Sequence, residues 1–389
     1  MADFFWENEN WEGGDKDLRK LAKGPFQRPF PFMPTKPGLY VIRGPRQVGK
    51  STWLKSILSH HRKNKRKCFY FSSEELVDFR ELYELLKSVQ DRDVILIDEI
   101  SFVLEWWRAV KKFIDSGFDN ILVVTGSHSY DLKRGLDFMP GRWGAGGESH
   151  LLPMDFNEFL AARRQAGWST SNWQGELSIY FRVGGFPTAV VEGGANGHFP
   201  QKSLETYGRW LLGDTLKLGK QELYLKQILG QIALTTQSPL SLQKLAQRTQ
   251  MGSHHTAQEY ISLLEHCFAL KTLYAVDPNT AMLKIRSERK YYFTDPLLFW
   301  LALSWNGLKV EDPLPAIAEL TAHEHLSRRF LGFGYLKTKD GEIDFYQPRQ
   351  WAIEVKWAPI ALHLSEANKK SVVPLKMVWT QQNFLKEFP

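Results

Sequence analysis

Five short apolar runs punctuate the first 160 residues: LYVIRG (39–44), CFYFSS (68–73), DVILID (93–98), ILVVTG (121–126) and SHLLP (149–153). Each is too short for a helix, and each of the first four is followed by a mixed stretch long enough to hold one. That alternation predicts right-handed β-α-β units on a parallel sheet, an α/β core. From about residue 155 the period becomes that of amphipathic helices: DFNEFLAARRQA, ELSIYFRV and a longer segment around 201–218. Glycines break this stretch at GGFP (184–187) and EGGANG (192–197). Next, LYLKQILGQIALT, SLQKLAQRTQ and MGSHHTAQEYISLLEHC read as three helices, with Ser241 as an N-cap and a turn at Gly252 and Ser253. ALKTLYAVD and RKYYFTD follow as two strands, so the unit is winged-helix-like. After Pro313 a helix precedes strand-like runs at 343–347 and 350–357. The expected organisation is an N-terminal extension (1–38), a core (39–160), a helical lid (161–221), a winged-helix-like domain (222–312) and a C-terminal α/β domain (313–389).

Composition narrows the class without fixing the function. No apolar run approaches the roughly 18 residues of a membrane span, and the acidic opening MADFFWENENWEGGDKD lacks a signal-peptide layout. Only those first dozen residues invite a reading as disordered. Cys68 and Cys267 are too few for a disulfide or zinc framework, so a cytoplasmic setting is expected. The formal net charge of +7 favours a polyanionic partner, with DNA as the expectation. HHRKNKRK at 60–67 is either a solvated helix-to-strand turn or a phosphate-contacting patch.

The sharpest chemistry lies at residues 44–52, Gly44-Pro45-Arg46-Gln47-Val48-Gly49-Lys50-Ser51-Thr52, a phosphate-binding P-loop between a strand and a helix. Gly44 and Gly49 let the backbone turn its N–H groups toward a phosphate. Lys50 supplies charge to the β and γ phosphates, and Ser51 a hydroxyl to Mg2+. VILIDEI delivers Asp98 to a strand's carboxyl end, where it would hold the Mg2+ water shell. Glu99 is placed to polarise the attacking water. The fourth strand ends at Thr125-Gly126-Ser127, and either Thr125 or Ser127 would sense the γ-phosphate. Arg134 and Arg142 follow; each is a surface residue or a charge offered in trans to a neighbour's γ-phosphate, with Arg142 the stronger candidate.

Two further sites are weaker. Exposed early positions of the third winged-helix-like helix are His254, His255 and Gln258, able to contact DNA, though that helix carries Glu259 and Glu265 and no arginine. In GEIDFYQPRQWAIEVKW, Asp344, Glu354 and Lys356 come together on two strands, and Glu324 on the preceding helix is the upstream acid. Two carboxylates can hold Mg2+ beside a lysine at a scissile phosphate, or form plain ion pairs.

GPRQVGKST, LIDEI, VVTGSHS, the GRWG arginine, LPMDFNEF, GGFP, YFTDP and EIDF…IEVK run in one order over nearly the whole chain. In that order they resemble the prokaryotic AAA+-like ATPases that join a P-loop core to a C-terminal domain of unknown function with a PD-(D/E)xK nuclease-like fold. FFWENENWE looks like a divergent form of a tryptophan-rich opening seen in part of that family. The resemblance implies ATP as the nucleotide, an AAA+ core and a homo-oligomer. In related signal-transduction ATPases a Gly-x-Pro motif packs its proline on adenine; Pro187 would do so here, or simply end a turn. The leading expectation is a Mg2+-dependent ATPase that couples hydrolysis to binding or remodelling DNA. The alternatives are a regulatory or defence switch with slow hydrolysis, or an ATP-gated, metal-dependent DNA nuclease.

Overall fold

The computed structural model describes residues 5–8, 10–117, 119–126, 132, 135–359 and 363–385. Ser127 and Arg134 lie outside the described residues. By internal contacts the chain divides into two units, Met1–Pro153 with Ala161–Gly167, and Met154–Leu160 with Trp168–Pro389.

The first unit opens with two helices, α1 (Trp11–Gly14) and α2 (Lys16–Lys23). Asp15 caps α2 by accepting from the Asp17 and Leu18 N–H groups at 2.9 and 3.0 Å. Of the first dozen, the described residues 5–8 and 10–12 pack against the core, contrary to the reading of that stretch as disordered. The physical reason is burial: Trp6 and Trp11 are inside, and Glu12 accepts from Ser59 Oγ at 2.5 Å. A five-stranded sheet follows in chain order, alternating with helices: β1 (Gly38–Arg43), α3 (Lys50–Lys63), β2 (Cys68–Ser72), α4 (Phe79–Ser88), β3 (Val94–Asp98), α5 (Trp106–Asp115), β4 (Ile121–Gly126) and β5 (Gly147–His150). The spatial order is β2-β3-β4-β1-β5, all parallel. Because β4 lies between β1 and β3, the chain leaves β1 and β3 on either side of a crevice at the strands' carboxyl ends. The first four strands coincide with the apolar runs. The fifth lies earlier than expected, at Gly147–His150 rather than 149–153, because it is an edge strand with alternating exposure and no continuous apolar run.

The basic stretch 60–67 forms the last turn of α3 and the return to β2. His61 is buried with its Nε2 2.7 Å from the Pro34 carbonyl oxygen, and Lys63 pairs with Glu12. Cations at a helix carboxyl end also suit its dipole.

The division between units falls within α6 (Phe156–Gln165). The second unit continues with α7 (Trp173–Val183), α8 (Pro187–Gly193) and α9 (Gln201–Lys217). Then come α10 (Glu222–Thr235), α11 (Leu242–Arg248), α12 (His254–His266), β6 (Leu270–Val276) and β7 (Leu283–Phe293). Ser241 caps α11 by accepting from the Lys244 N–H, and Ser253 caps α12 by accepting from Thr256. β6 and β7 are antiparallel, and Leu240 bridges Arg289 as a short third segment. The chain ends with α13 (Pro296–Trp305), α14 (Leu314–Ser327), β8 (Gly334–Thr338), β9 (Gly341–Gln347), β10 (Trp351–Val355), α15 (Glu366–Lys370) and β11 (Leu375–Trp379). Among the described residues the six strands of this unit lie in one sheet, β11-β10-β9-β8-β6-β7, joined where β6 runs parallel to β8 at Ala275 and Tyr335.

Two motifs of this unit meet at one buried carboxylate, and Met154 packs against the same glycine turn. Asp295 accepts from the Gly185 N–H at 2.7 Å and from the Leu297 N–H at 2.8 Å, capping α13. Gly184 has φ +76°, and a Cβ there would sit 2.1 Å from Asp295 Oδ1. One at Gly185 would sit 1.9 Å from the Met154 carbonyl oxygen. So GGFP touches the Met154 backbone of LPMDFNEF and the Asp295 side chain of YFTDP, and glycine alone fits these contacts. Asp295→Ala leaves two buried N–H groups without partners. It should lower stability by about 2 kcal/mol in urea unfolding, with Glu311→Ala, at an exposed position, as the near-neutral control.

Candidate functional site: the phosphate loop and the Asp98 clamp

The loop from Gly44 to Gly49 joins β1 to α3 at the carboxyl edge of the sheet. Gly44 approaches the next chain segment so closely that a Cβ would lie 2.0 Å from the Leu151 carbonyl oxygen. Gln47 and Gly49 adopt positive φ of 63° and 101°, the curl that turns successive N–H groups inward. Pro45 and Val48 are buried, whereas Arg46, Gln47, Gly49, Ser51 and Thr52 are half-buried. Lys50, the first residue of α3, is buried and donates to the Gly44 and Pro45 carbonyl oxygens at 3.0 and 2.9 Å.

Asp98 ends β3, two strands away from β1, and is 5% exposed. Thr125 on β4 donates to its Oδ1, and Tyr70 on β2 donates to its Oδ2 at 3.2 Å. Burial, and then the charge of Asp98, push the Tyr70 phenol far above the usual tyrosine range, so it stays a donor. Glu99 has φ 54°, left-handed backbone that costs a side-chain-bearing residue about 1–2 kcal/mol. Its N–H donates to Thr125 Oγ1 at 3.0 Å, and Ser73 Oγ lies 3.0 and 2.7 Å from the Asp98 and Glu99 carbonyl oxygens. Those bonds hold the strained turn.

Tyr70 and Ser73 escaped the sequence reading. The available signal was CFYFSS itself: a tyrosine on a buried strand needs a hydroxyl partner, and β2 pairs with β3 so that Ser72 lies beside Asp98. Ser51 and Asp98 offer hydroxyl and carboxylate oxygens, hard donors of the kind Mg2+ takes.

Arg142 sits at the opposite edge. Gly144 bridges Gly38, and the Leu39 N–H donates to the Trp143 carbonyl, at the amino end of β1. The length of β1, roughly 17 Å at about 3.3 Å per residue, separates Arg142 from the phosphate loop. Its guanidinium pairs with Asp115 at 2.7 and 3.1 Å.

In the second unit, Pro187 is half-buried and opens α8, beside a buried Phe186 whose ring lies 4.7 Å from Tyr207. His254 and His255 are exposed at the start of α12, with ring centroids 4.1 Å apart. Gln258 is engaged internally: it donates to Ser262 Oγ and accepts from Arg289, both at 3.1 Å.

The structure brings Asp344, Glu354 and Lys356 close, on β9 and at the end of β10. Asp344 accepts from the Val355 N–H at 3.0 Å, and Glu354 pairs with Lys356 at 2.9 Å. Glu354 also accepts from Ser365 Oγ at 2.5 Å, while Lys356 donates to the His363 carbonyl at 2.8 Å. A residue outside the sequence reading intervenes. The fully buried Lys290 ammonium lies 3.0 Å from Glu319, 2.8 Å from Glu342 and 3.1 Å from Asp344. Burial opposes that charge, yet Tyr292, Glu319, Asp344 and Glu342 hold it well above the lysine range. Burial, then the charge of Asp344, push Glu319 up to about 7.

Glu324 occupies a different network, with Lys271 at 2.8 Å and Arg328 at 2.9 Å. Glu319 on the same helix is the acid that shares a partner with Asp344.

Residues 36–160, the whole phosphate-loop sheet, match the family model of the AAA domain. Residues 174–309 match a domain of unknown function (DUF8612), a match that ends before the 313–389 tail. An uncharacterised protein of Haemophilus influenzae is 28% identical over 347 residues, 84% of this chain and 83% of its own length. The uncharacterised protein MJ1544 of Methanocaldococcus jannaschii is 30% identical over 162 residues, 39% of this chain and 36% of that protein. Among solved structures, the Walker-type ATPase PABY2304 of Pyrococcus abyssi overlaps 75% of this chain and 95% of its own, with 15% identity and a TM-score of 0.47. Among the described residues no helix is long and apolar enough to cross a membrane.

Burial would raise the Glu324 carboxyl, but Lys271 and Arg328 hold it down at about 2, below the ordinary 4.5. A lowered carboxylate stabilises the fold above its unfolded value and loses that contribution as pH falls through the folded one. The second unit should therefore lose about 3 kcal/mol between pH 4.5 and 2 from this group. Glu324→Gln should flatten that part of the stability profile in denaturant titrations while lowering stability at pH 7.

Proposed function

We propose that this chain is a Mg2+-dependent ATPase of AAA+-like type that couples hydrolysis to binding or remodelling DNA as a homo-oligomer. The observation that carries the hydrolysis reading is the Asp98 clamp. A carboxylate with hydroxyls on both oxygens stands at the sheet edge that carries the phosphate loop. The AAA-domain match over 36–160 supports the same reading.

In this mechanism the loop N–H groups from Gly44 to Ser51 cradle the triphosphate. Lys50 exchanges the Gly44 and Pro45 carbonyls for β- and γ-phosphate oxygens. Mg2+ would be held by Ser51 and Asp98 and would supply Lewis-acid charge to the phosphate. Thr125 orients Asp98 and the Glu99 backbone, and the Glu99 carboxylate takes the proton of the attacking water. Arg142, at the far edge of the sheet, acts only toward a neighbouring copy's γ-phosphate, after leaving Asp115. The basic chain and the three helices with their β-ribbon support a DNA partner for the winged-helix-like segment, met through His254 and His255. Gln258 serves there as a support for Arg289.

For the tail we favour a structural role on a nuclease-like fold. Asp344 is already engaged by Lys290 and the Val355 N–H, and Glu354 by Lys356 and Ser365.

Glu99→Gln should lower turnover by about 100-fold or more while keeping ATP binding, and Lys50→Ala should abolish binding. Turnover should rise with DNA and lose that rise steeply with salt. A rate indifferent to DNA at every salt concentration would leave a nucleotide switch. Plasmid DNA should stay intact with Mg2+ or Mn2+. Nicking that Asp344→Ala removes and Lys50→Ala keeps would overturn the structural assignment of the tail.

A further inference from the structure

We propose that Tyr70 is the positioning residue that sets Asp98 for Mg2+, and that Trp6 of the N-terminal extension keeps Tyr70 in place. The proposal rests on the ATPase reading and adds a regulatory input to that site. Asp98 takes one hydroxyl on each oxygen, from Thr125 and Tyr70. Two donors on opposite oxygens fix the rotation of a carboxylate and leave one lone pair on each oxygen for water around a metal. Thr125 comes from the interior of the sheet, where β3 and β1 hold β4 on both sides. Tyr70 comes from β2, the edge strand, which has strand support on one side only.

The extension supplies the missing support. The Trp6 ring meets both Phe69 and Tyr70 edge-on, each at 5.9 Å. Consecutive strand residues face opposite sides of a sheet, so a ring touching both lies along the outer edge of β2. A second tie runs through α3, the helix that Lys50 opens. Lys55 lies 6.0 Å from the Tyr70 ring centroid and is held by Asp15 and Asp17, each at 2.6 Å. Trp6, Asp15 and Asp17 all belong to the extension, and all converge on the tyrosine that touches Asp98. Displacing the extension would free the phenol and loosen the carboxylate, and so change the metal requirement of the nucleotide site.

The test uses the full chain and the fluorescent analogue mant-ATP, titrated first in EDTA and then with rising Mg2+. Tyr70→Phe keeps the ring and removes one donor. It should bind metal-free mant-ATP within about twofold of the wild type and raise the Mg2+ concentration for half-maximal tightening roughly three- to tenfold. Trp6→Leu should shift that midpoint the same way and by less; if it melts below the assay temperature, Trp6→Phe replaces it. A Tyr70→Phe midpoint equal to the wild type overturns the positioning role, as does an equal loss of metal-free affinity. An unshifted Trp6 variant overturns the input from the extension. Wild-type protein that binds mant-ATP no better than Lys50→Ala instead overturns the ATPase reading itself.

Discussion

The turn at Asp98 and Glu99 is the constraint on which the candidate site depends. A carboxylate buried at a strand end is costly unless its oxygens are paired, and a left-handed residue after it adds strain. The fold meets both costs with hydroxyls from the neighbouring strands: Tyr70 and Ser73 from β2 and its end, Thr125 from β4. Each such bond contributes about 1 kcal/mol net, enough together to hold a turn that glycine would otherwise favour. The strand order makes this possible, since β3 has β2 on one side and β4 on the other. The phosphate loop then arrives on β1, one strand further along, and the two halves of the chemistry share an edge.

The second unit manages buried charge by a different route. Lys290 is enclosed with Glu319, Glu342 and Asp344, and Glu324 is enclosed with Lys271 and Arg328. Both networks tie α14 to the sheet, one through β7 and β9, the other through β6. Removing the central residue, Lys290 or Glu324, leaves like charges facing one another without their shared partner, so these networks act as pins between elements. The same logic explains Asp295, which spends its carboxylate on the N–H groups of Gly185 and Leu297.

Much of the core was legible because its signals are local. Buried parallel strands read as apolar runs, and the loop needs its glycines, Lys50 and Ser51 in fixed order. Ser241 announced its helix by the same local rule, whereas Ser253, read as part of a turn, proves to be the N-cap of the next helix. The edge strand β5 was misplaced because it alternates, and β8 and β11 were missed because GYLKT and LKMVW carry too few apolar residues in a row. Tyr70, Ser73 and Lys290 were invisible for another reason: each acts on a residue 25 or more positions away, and pairings across a sheet depend on strand order that the sequence does not state. Glu319 lost out to Glu324 because both are acids on one helix, and only the register against β7 separates them.

The central claim is that Gly44 to Ser51, with Asp98, forms a site for a triphosphate and its metal. Titration calorimetry of the wild-type chain with ATP, ADP and AMP, each with and without Mg2+, tests it most directly. The account predicts affinity that rises with phosphate number and with Mg2+ for ATP. Equal binding of ATP and AMP, or heat unaffected by Mg2+, would contradict it.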